Sequence, residues 1–233
     1  ASSWWGDYLI SDPSRIDGLL VEPGEPLTEL LHAVGADPAS KTPVAGPGYN
    51  GDDVRSAYRR VLLDLVADDA THPNPPEYMP EVGVRLAALA DAALEAALAL
   101  ARRDIDPQGN ARLSIIAMGK TGAQELNYIS DVDVMYVVAP AEGVDERSAI
   151  ELGTRMAALS AQACSGPGNE QPLWSVDANL RPEGRHGALV RTLDSFKQYW
   201  DKWAETWEFQ ALLKARPAAG DMELGQAFFR VAS

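Results

Sequence analysis

The sequence predicts an α+β fold, a small mixed sheet with helices packed around it and a helical N-terminal extension. Three observations carry this. Apolar residues recur at three- and four-residue steps through much of the first hundred positions. At position 112 the pattern changes to short apolar runs, "RLSIIAMG" and "DVDVMYVV", set off by glycine and turn residues. Further on, "PLWSVDANL" alternates apolar and polar side chains with the period of a strand.

Taken in order, residues 1–35 hold two short helical patterns interrupted by the turn signals "SDPS" and "EPGEP". Residues 36–51, "ADPASKTPVAGPGYNG", are rich in Pro, Gly and Ala and read as a linker. Val54, Ala57, Tyr58, Val61, Leu62 and Leu65 then lie on one helix face. "THPNPPEYMP" reads as a loop, and an alanine-rich helix follows over 80–103 through Val82, Leu86, Leu89, Ala93, Ala97 and Leu100. Residues 1–103 therefore form a helical N-terminal region and 104–233 the core. In that core, two strands give way to a helix over 147–164. The alternating strand follows, with Trp174, Val176, Ala178 and Leu180 on one face and Ser175, Asp177 and Asn179 on the other. Residues 192–215 read as one aromatic-rich helix, whose Phe196, Tyr199, Trp200, Trp203 and Trp207 are expected in the core. "MELGQAFFRVAS" breaks off inside a helical pattern with no stop signal, so the chain reads as a fragment of a longer one.

Composition excludes several classes. Of 233 residues 46% are hydrophobic and 23% charged, the balance of a folded domain. With 34 acidic and 20 basic residues the net charge is −14, which disfavours a nucleic-acid binder, since that needs a basic surface to displace counterions. The single cysteine, Cys164, allows neither an internal disulfide nor a cysteine-based zinc site and is expected to be a buried small hydrophobe. The longest apolar stretch, around 86–101, carries Asp91 and Glu95 and is no membrane span. No basic leader precedes an apolar segment, so the chain reads as cytoplasmic.

The chemistry concentrates in "GKTGAQELNYISDVDVMYVV", residues 119–138. Asp131 and Asp133 share one strand face, and two carboxylates side by side repel unless solvent or a cation intervenes. A pair of this kind alone is equally at home on a solvated strand end. A third carboxylate, Asp177, lies on the polar face of another expected strand, and the basic run "LRPEGRHG" follows it. Together these favour a metal site over a solvated edge. An all-oxygen cluster suits Mg²⁺, one ion or two, with Mn²⁺ able to substitute. The turn at Gly119 and Lys120, with Ser130, can offer N–H groups, an ammonium and a hydroxyl to phosphates. Arg181 and Arg185 are the guanidiniums placed to clamp phosphate oxygens, and Lys214 and Arg216 are further candidates. Glu208 reads as a structural ion pair. His32, His72 and His186 are isolated, and phosphoryl chemistry run by metal and positioning needs no histidine.

"MGKTGAQELNYISDVDVMYVV" and "VDANLRPEGRHGALVRTLDSFKQYWDKWAETWEFQALLKARPAAGD" resemble the two conserved-type blocks of the bifunctional glutamine synthetase adenylyltransferase/adenylyl-removing enzyme family, and the resemblance runs through most of 52–225. It implies a DNA polymerase β-like nucleotidyltransferase core, with Asp131, Asp133 and Asp177 as catalytic, Mg²⁺-binding carboxylates. Asn179 and Thr121 depart from the family pattern, at positions where many relatives carry Arg and Leu. "GDYLISDP" and "WEFQALLKARP" are similar to the N-terminal, adenylyl-removing half of actinobacterial members. That half implies removal of AMP from a tyrosine of adenylylated glutamine synthetase by phosphorolysis, with inorganic phosphate consumed and ADP formed. The alternatives are ATP-dependent adenylylation of the same tyrosine and a noncatalytic domain sensing nucleotide or a PII-type signal protein. The partners implied are glutamine synthetase, phosphate, ADP or ATP and a PII-type protein, with neither nucleic acid nor membrane.

Overall fold

A computed structural model describes residues 9–10 and 24–232. The helical patterns expected within 1–35 and the "GDYLISDP" segment lie largely outside these residues. Helix α1 spans Pro26–Ala33, α2 Gly51–Thr71 and α3 Pro75–Ile105. Asn50 opens α2 with a reciprocal capping box, its side chain taking the Asp52 amide (2.8 Å) while Asp53 takes the Asn50 amide (2.7 Å). The segment read as a loop over 71–80 is mostly helix, since α2 runs to Thr71 and α3 starts at Pro75. Pro75 and Pro76 occupy the first turn of α3, where a missing N–H leaves nothing unpaired, and Pro80 sits on the exposed side.

Helix α3 is buried all round over its C-terminal half, with every residue from Ala92 to Ala101 inside. One side packs with α1 and α2 through Leu89, Ala93, Ala97 and Leu100. The other carries Leu86, Leu94 and Leu98 onto the sheet. Alanine permits both close approaches at once. The Pro/Gly-rich segment over 36–51 is laid along α3 and is not a free tether. The Ala45 amide donates to the Ala99 carbonyl (3.1 Å), and Arg102 and Arg103 donate to the carbonyls of Pro43, Gly46 and Tyr49.

The sheet has five strands: β1 Ala111–Ala117, β2 Val132–Pro140, β3 Val176–Asp177, β4 Val190–Arg191 and β5 Arg216–Gly220. Strand β1 pairs antiparallel with β2 on one side and with β5 on the other, while β3 and β4 both pair parallel with the far edge of β2. Between β1 and β2 comes the one-turn helix α4, Gly119–Gly122, and between β2 and β3 comes α5, Glu146–Ser165. Val132, Val134, Tyr136 and Val138 of β2 face α3 and α5. Met135 and Val137 face α6 (Leu193–Lys202) and α8 (Met222–Ala232) through Phe196 and Phe228. The core therefore covers both faces of β2, which is why this strand reads as a nearly unbroken apolar run.

Four expectations are corrected here. The strand expected over 172–180 shrinks to Val176–Asp177, because only those residues meet β2 in register. The helix expected over 192–215 breaks after Lys202. Glu205 starts a new helix, α7 (Thr206–Leu212), by a capping box with Glu208, and the chain then enters β5. Glu208 is accordingly a cap: it accepts from the Glu205 amide (3.1 Å) and the Tyr199 hydroxyl (3.0 Å) and forms no ion pair among the described residues. Of the tryptophans, Trp200 packs on Phe196 and Phe228, but the helix break turns Trp203 and Trp207 outward, 72% and 51% exposed. Cys164 is fully buried, and burial pushes its thiol up to about 12.

Candidate active site

Asp133 lies on β2 and Asp177 on β3, and the two are direct partners in the parallel ladder. Residues level with each other on neighbouring strands share a face, and Asp131, two positions before Asp133, projects to the same face. The sheet thus gathers the three aspartates at the N-terminal end of β2, just beyond the part of that face covered by Met135, Val137 and Phe196. Burial raises the Asp133 carboxyl above the usual carboxylate range. The neighbouring charges of Asp177 and Asp131 raise it further, and Lys120 opposes them. Asp177 and Asp131 are thus close enough to bear on the Asp133 carboxyl.

Position 119 shows how closely the turn approaches. Gly119 has φ +51, and a Cβ there would stand 2.4 Å from Asp133 Oδ2. The turn therefore brings its backbone up against the central carboxylate in a left-handed conformation that favours glycine. Asp177 is held by its own chain, its Oδ1 accepting the Asn179 amide at 2.7 Å. Two non-glycine residues in the left-handed region, Gln124 and Glu183, shape the segments that follow the turn and β3.

The donor set is all oxygen and anionic, and burial makes the charge of Asp133 unfavourable without a cation; both features fit Mg²⁺. Among the described residues, the side chains are not closed around one point as a finished cage. What the fold supplies is the common face and the register.

The other candidates divide into two groups. Lys120 is exposed beside Asp133, Ser130 is half-buried one residue before Asp131, and Arg185 is exposed, touching only His186 (3.3 Å). These three make no ion pair among the described residues. The remaining cations are committed elsewhere. Arg181 folds back on its own loop, donating to the carbonyls of Ala178 (2.7 Å) and Gly187 (3.2 Å). Lys214 pairs with Glu125 at 2.9 Å. Arg216 binds Asp91 and the Thr121 carbonyl. Arg191, not singled out from the sequence, lies in the same loop region, pairs with Glu183 and lies over the Tyr199 ring. Its place beside β2 comes from β4, a strand of two residues with no alternating pattern to announce it. A cavity of about 640 Å³ lies elsewhere, among α1, α3, β5 and α8, and holds none of the three aspartates.

Known proteins resemble this chain over most of its length. The glutamate-ammonia ligase adenylyltransferase family profile matches residues 52–231. Proteins named bifunctional glutamine synthetase adenylyltransferase/adenylyl-removing enzyme are similar over three quarters of the chain or more. The one from Cutibacterium acnes is 48% identical over 241 residues, covering 100% of this chain and 24% of the relative. The one from Bifidobacterium longum is 50% identical over 206 residues, 85% of this chain and 19% of the relative. That from Streptomyces avermitilis is 44% identical over 235 residues, 98% of this chain and 22% of the relative. The chain spans about a quarter or less of the length of these relatives. Among the described residues no helix is long and apolar enough to cross a membrane.

Proposed function

The chain belongs to the glutamate-ammonia ligase adenylyltransferase family, a nucleotidyltransferase family, and from that premise we propose that it removes AMP from the adenylylated tyrosine of glutamine synthetase by Mg²⁺-dependent phosphorolysis. The observation that carries the reading is the parallel register of Asp133 with Asp177, with Asp131 on the same face.

Mg²⁺ held by Asp131, Asp133 and Asp177 would offset the charge of the phosphoryl oxygens and of the departing oxygen. An oxygen of inorganic phosphate forms the new bond to the AMP phosphorus, and the bond from that phosphorus to the tyrosyl oxygen breaks, giving ADP and free tyrosine. The leaving phenol has a pKa of about 10, so it departs more readily than an alkoxide and needs no strong general acid. Lys120 and Arg185, candidate cations held by neither a protein carboxylate nor a backbone carbonyl among the described residues, would seat the attacking phosphate, Arg185 through its planar fork. Gly119 keeps the turn close enough for its backbone to line the same space as Asp133. Two anions that repel each other in solution would in this way be brought into line.

Removal is favoured over attachment by the similarity of "WEFQALLKARP" to the adenylyl-removing half, and Lys120 and Arg185 are available to hold a free phosphate. The decisive experiment incubates the protein with adenylylated glutamine synthetase and Mg²⁺, with and without phosphate, and separates the nucleotides by chromatography. ADP that forms only with phosphate and saturates with it is the expected outcome. ATP-dependent labelling of unmodified glutamine synthetase, with no ADP from the modified form, would reassign the domain to adenylylation. Binding of nucleotide or a PII-type protein with neither activity would make it a sensor.

A further inference from the structure

We infer that Arg216 and Asp91 form a clamp that positions the Gly119–Gly122 turn against the catalytic carboxylates, with Arg216 as a positioning residue and not a phosphate ligand; this rests on the reading of Asp131, Asp133 and Asp177 as the reacting centre. Arg216 opens β5 directly opposite Ala117, the last residue of β1, so strand pairing alone sets it beside the turn that follows. Its side chain spans to the long helix: Nη1 lies 2.5 Å from Asp91 Oδ2 and Nη2 3.0 Å from Asp91 Oδ1, a two-pronged pair. The same Nη2 donates to the Thr121 carbonyl at 3.0 Å. Three of the five N–H groups are thereby committed to protein acceptors, and Nε is buried, so only the second Nη1 proton is left to offer elsewhere.

The turn is gripped where it has least slack. A Cβ at Gly122 would stand 2.2 Å from the Lys214 carbonyl and 2.7 Å from that of Ala117, so its backbone is wedged between the end of β1 and the approach to β5. Thr121 is fully buried, and its hydroxyl has no partner, which leaves its carbonyl as the polar anchor on that side. At the other end of the turn, Gly119 abuts Asp133. Loosening Thr121 therefore moves the backbone that faces the central carboxylate, and Asp91 transmits the position of α3 to that backbone.

The test uses two variants. Arg216→Lys keeps the charge and a contact to Asp91 but cannot bridge to Thr121 at the same time; Asp91→Asn weakens the hold on the fork. Hydrogen–deuterium exchange is read over peptides covering 118–125, with peptides from α5, over 146–165, as the internal reference. The expected result is about a tenfold rise in exchange in the turn with the reference unchanged. In turnover, kcat should fall between about tenfold and a hundredfold, while the KM for phosphate moves less than about twofold. Unchanged protection of the turn in both variants overturns the clamp. So does a raised KM for phosphate at normal kcat, which would make Arg216 a ligand. Exchange that rises equally in the turn and the reference would make the pair a general stabiliser and overturn it too. Should Arg216→Lys fail to fold, Asp91→Asn decides by the same readouts. The exchange experiment needs no turnover, so it judges the clamp even where the wild type yields no phosphate-dependent ADP, an outcome that would count only against phosphorolysis.

Discussion

The molecule gathers acid on α3 and at the end of β2 and treats it in opposite ways. On α3, Asp91 is matched to Arg216, and Glu95 accepts from Arg102 at 2.6 Å and from the Gly220 amide. At the end of β2, Asp131, Asp133 and Asp177 stand together with no ion pair to any lysine or arginine among the described residues. The helix spends its carboxylates on joining elements, tying the helical region to β5. The strand end keeps its carboxylates for something that arrives from outside. Removal of an acid should therefore have opposite effects on stability in the two places.

The largest effect belongs to the strand end. Asp131→Asn or Asp133→Asn should lower turnover by at least about a thousandfold, since several kcal/mol of charge stabilisation is worth a decade for each 1.4 kcal/mol. The metal-free variants should melt at or above the wild-type temperature, because a repulsion is relieved. Mg²⁺ should stabilise the wild type and stabilise these variants less. Rate assays beside thermal melts with and without metal check all three, and a variant with near wild-type turnover would remove the metal assignment.

The helix should respond the other way. Glu95→Ala leaves Arg102 without its carboxylate and the Gly220 amide without its acceptor, at a cost of about 3 kcal/mol. Urea melts should show that loss with and without Mg²⁺ alike. A neutral result would mean that Glu95 is not a joint at all.

The smallest effect sharpens the comparison through pH. Burial pushes the Asp91 carboxyl from 3.8 up to about 6, against the pull of Arg216. A carboxyl raised in the folded state binds its proton more tightly there than in the unfolded chain. The stability linked to that proton is complete below about 3.8 and is lost as pH rises through about 6. Each pKa unit is worth about 1.4 kcal/mol, so the stability of the wild type relative to Asp91→Asn should fall by at most about 3 kcal/mol across this window and stay flat above it. Urea midpoints from pH 4 to 7 measure it, and a difference that rises with pH would reverse the sign.

Much of this was legible in the sequence, for definable reasons. Strands β1 and β2 announce themselves because both faces are buried, and α2, α3 and α5 because one stripe or more is apolar. The aspartates could be grouped because a period of two puts Asp131 and Asp133 on one face. Strand β5 stayed hidden, since "RPAAG" has neither alternation nor β-branched residues and is held by its ladder to β1. The break at 203–205 was masked by an aromatic spacing that continues across it, although Glu205 and Glu208 had the spacing of a cap. Asp91 looked like one more polar interruption of an apolar helix. Its partner lies 125 residues away, a pairing that periodicity along the chain does not register.

Strand β3 is two residues long, and one of the two is Asp177. Side chains alternate across a sheet, so sliding this strand by a single position would carry the carboxylate through to the apolar side occupied by Val176, beside Val132. Sequence drift in this stretch is thus quantised. An odd-numbered insertion between Leu173 and Asp177 that shifted this register would delete the third carboxylate from the site without altering any of its atoms.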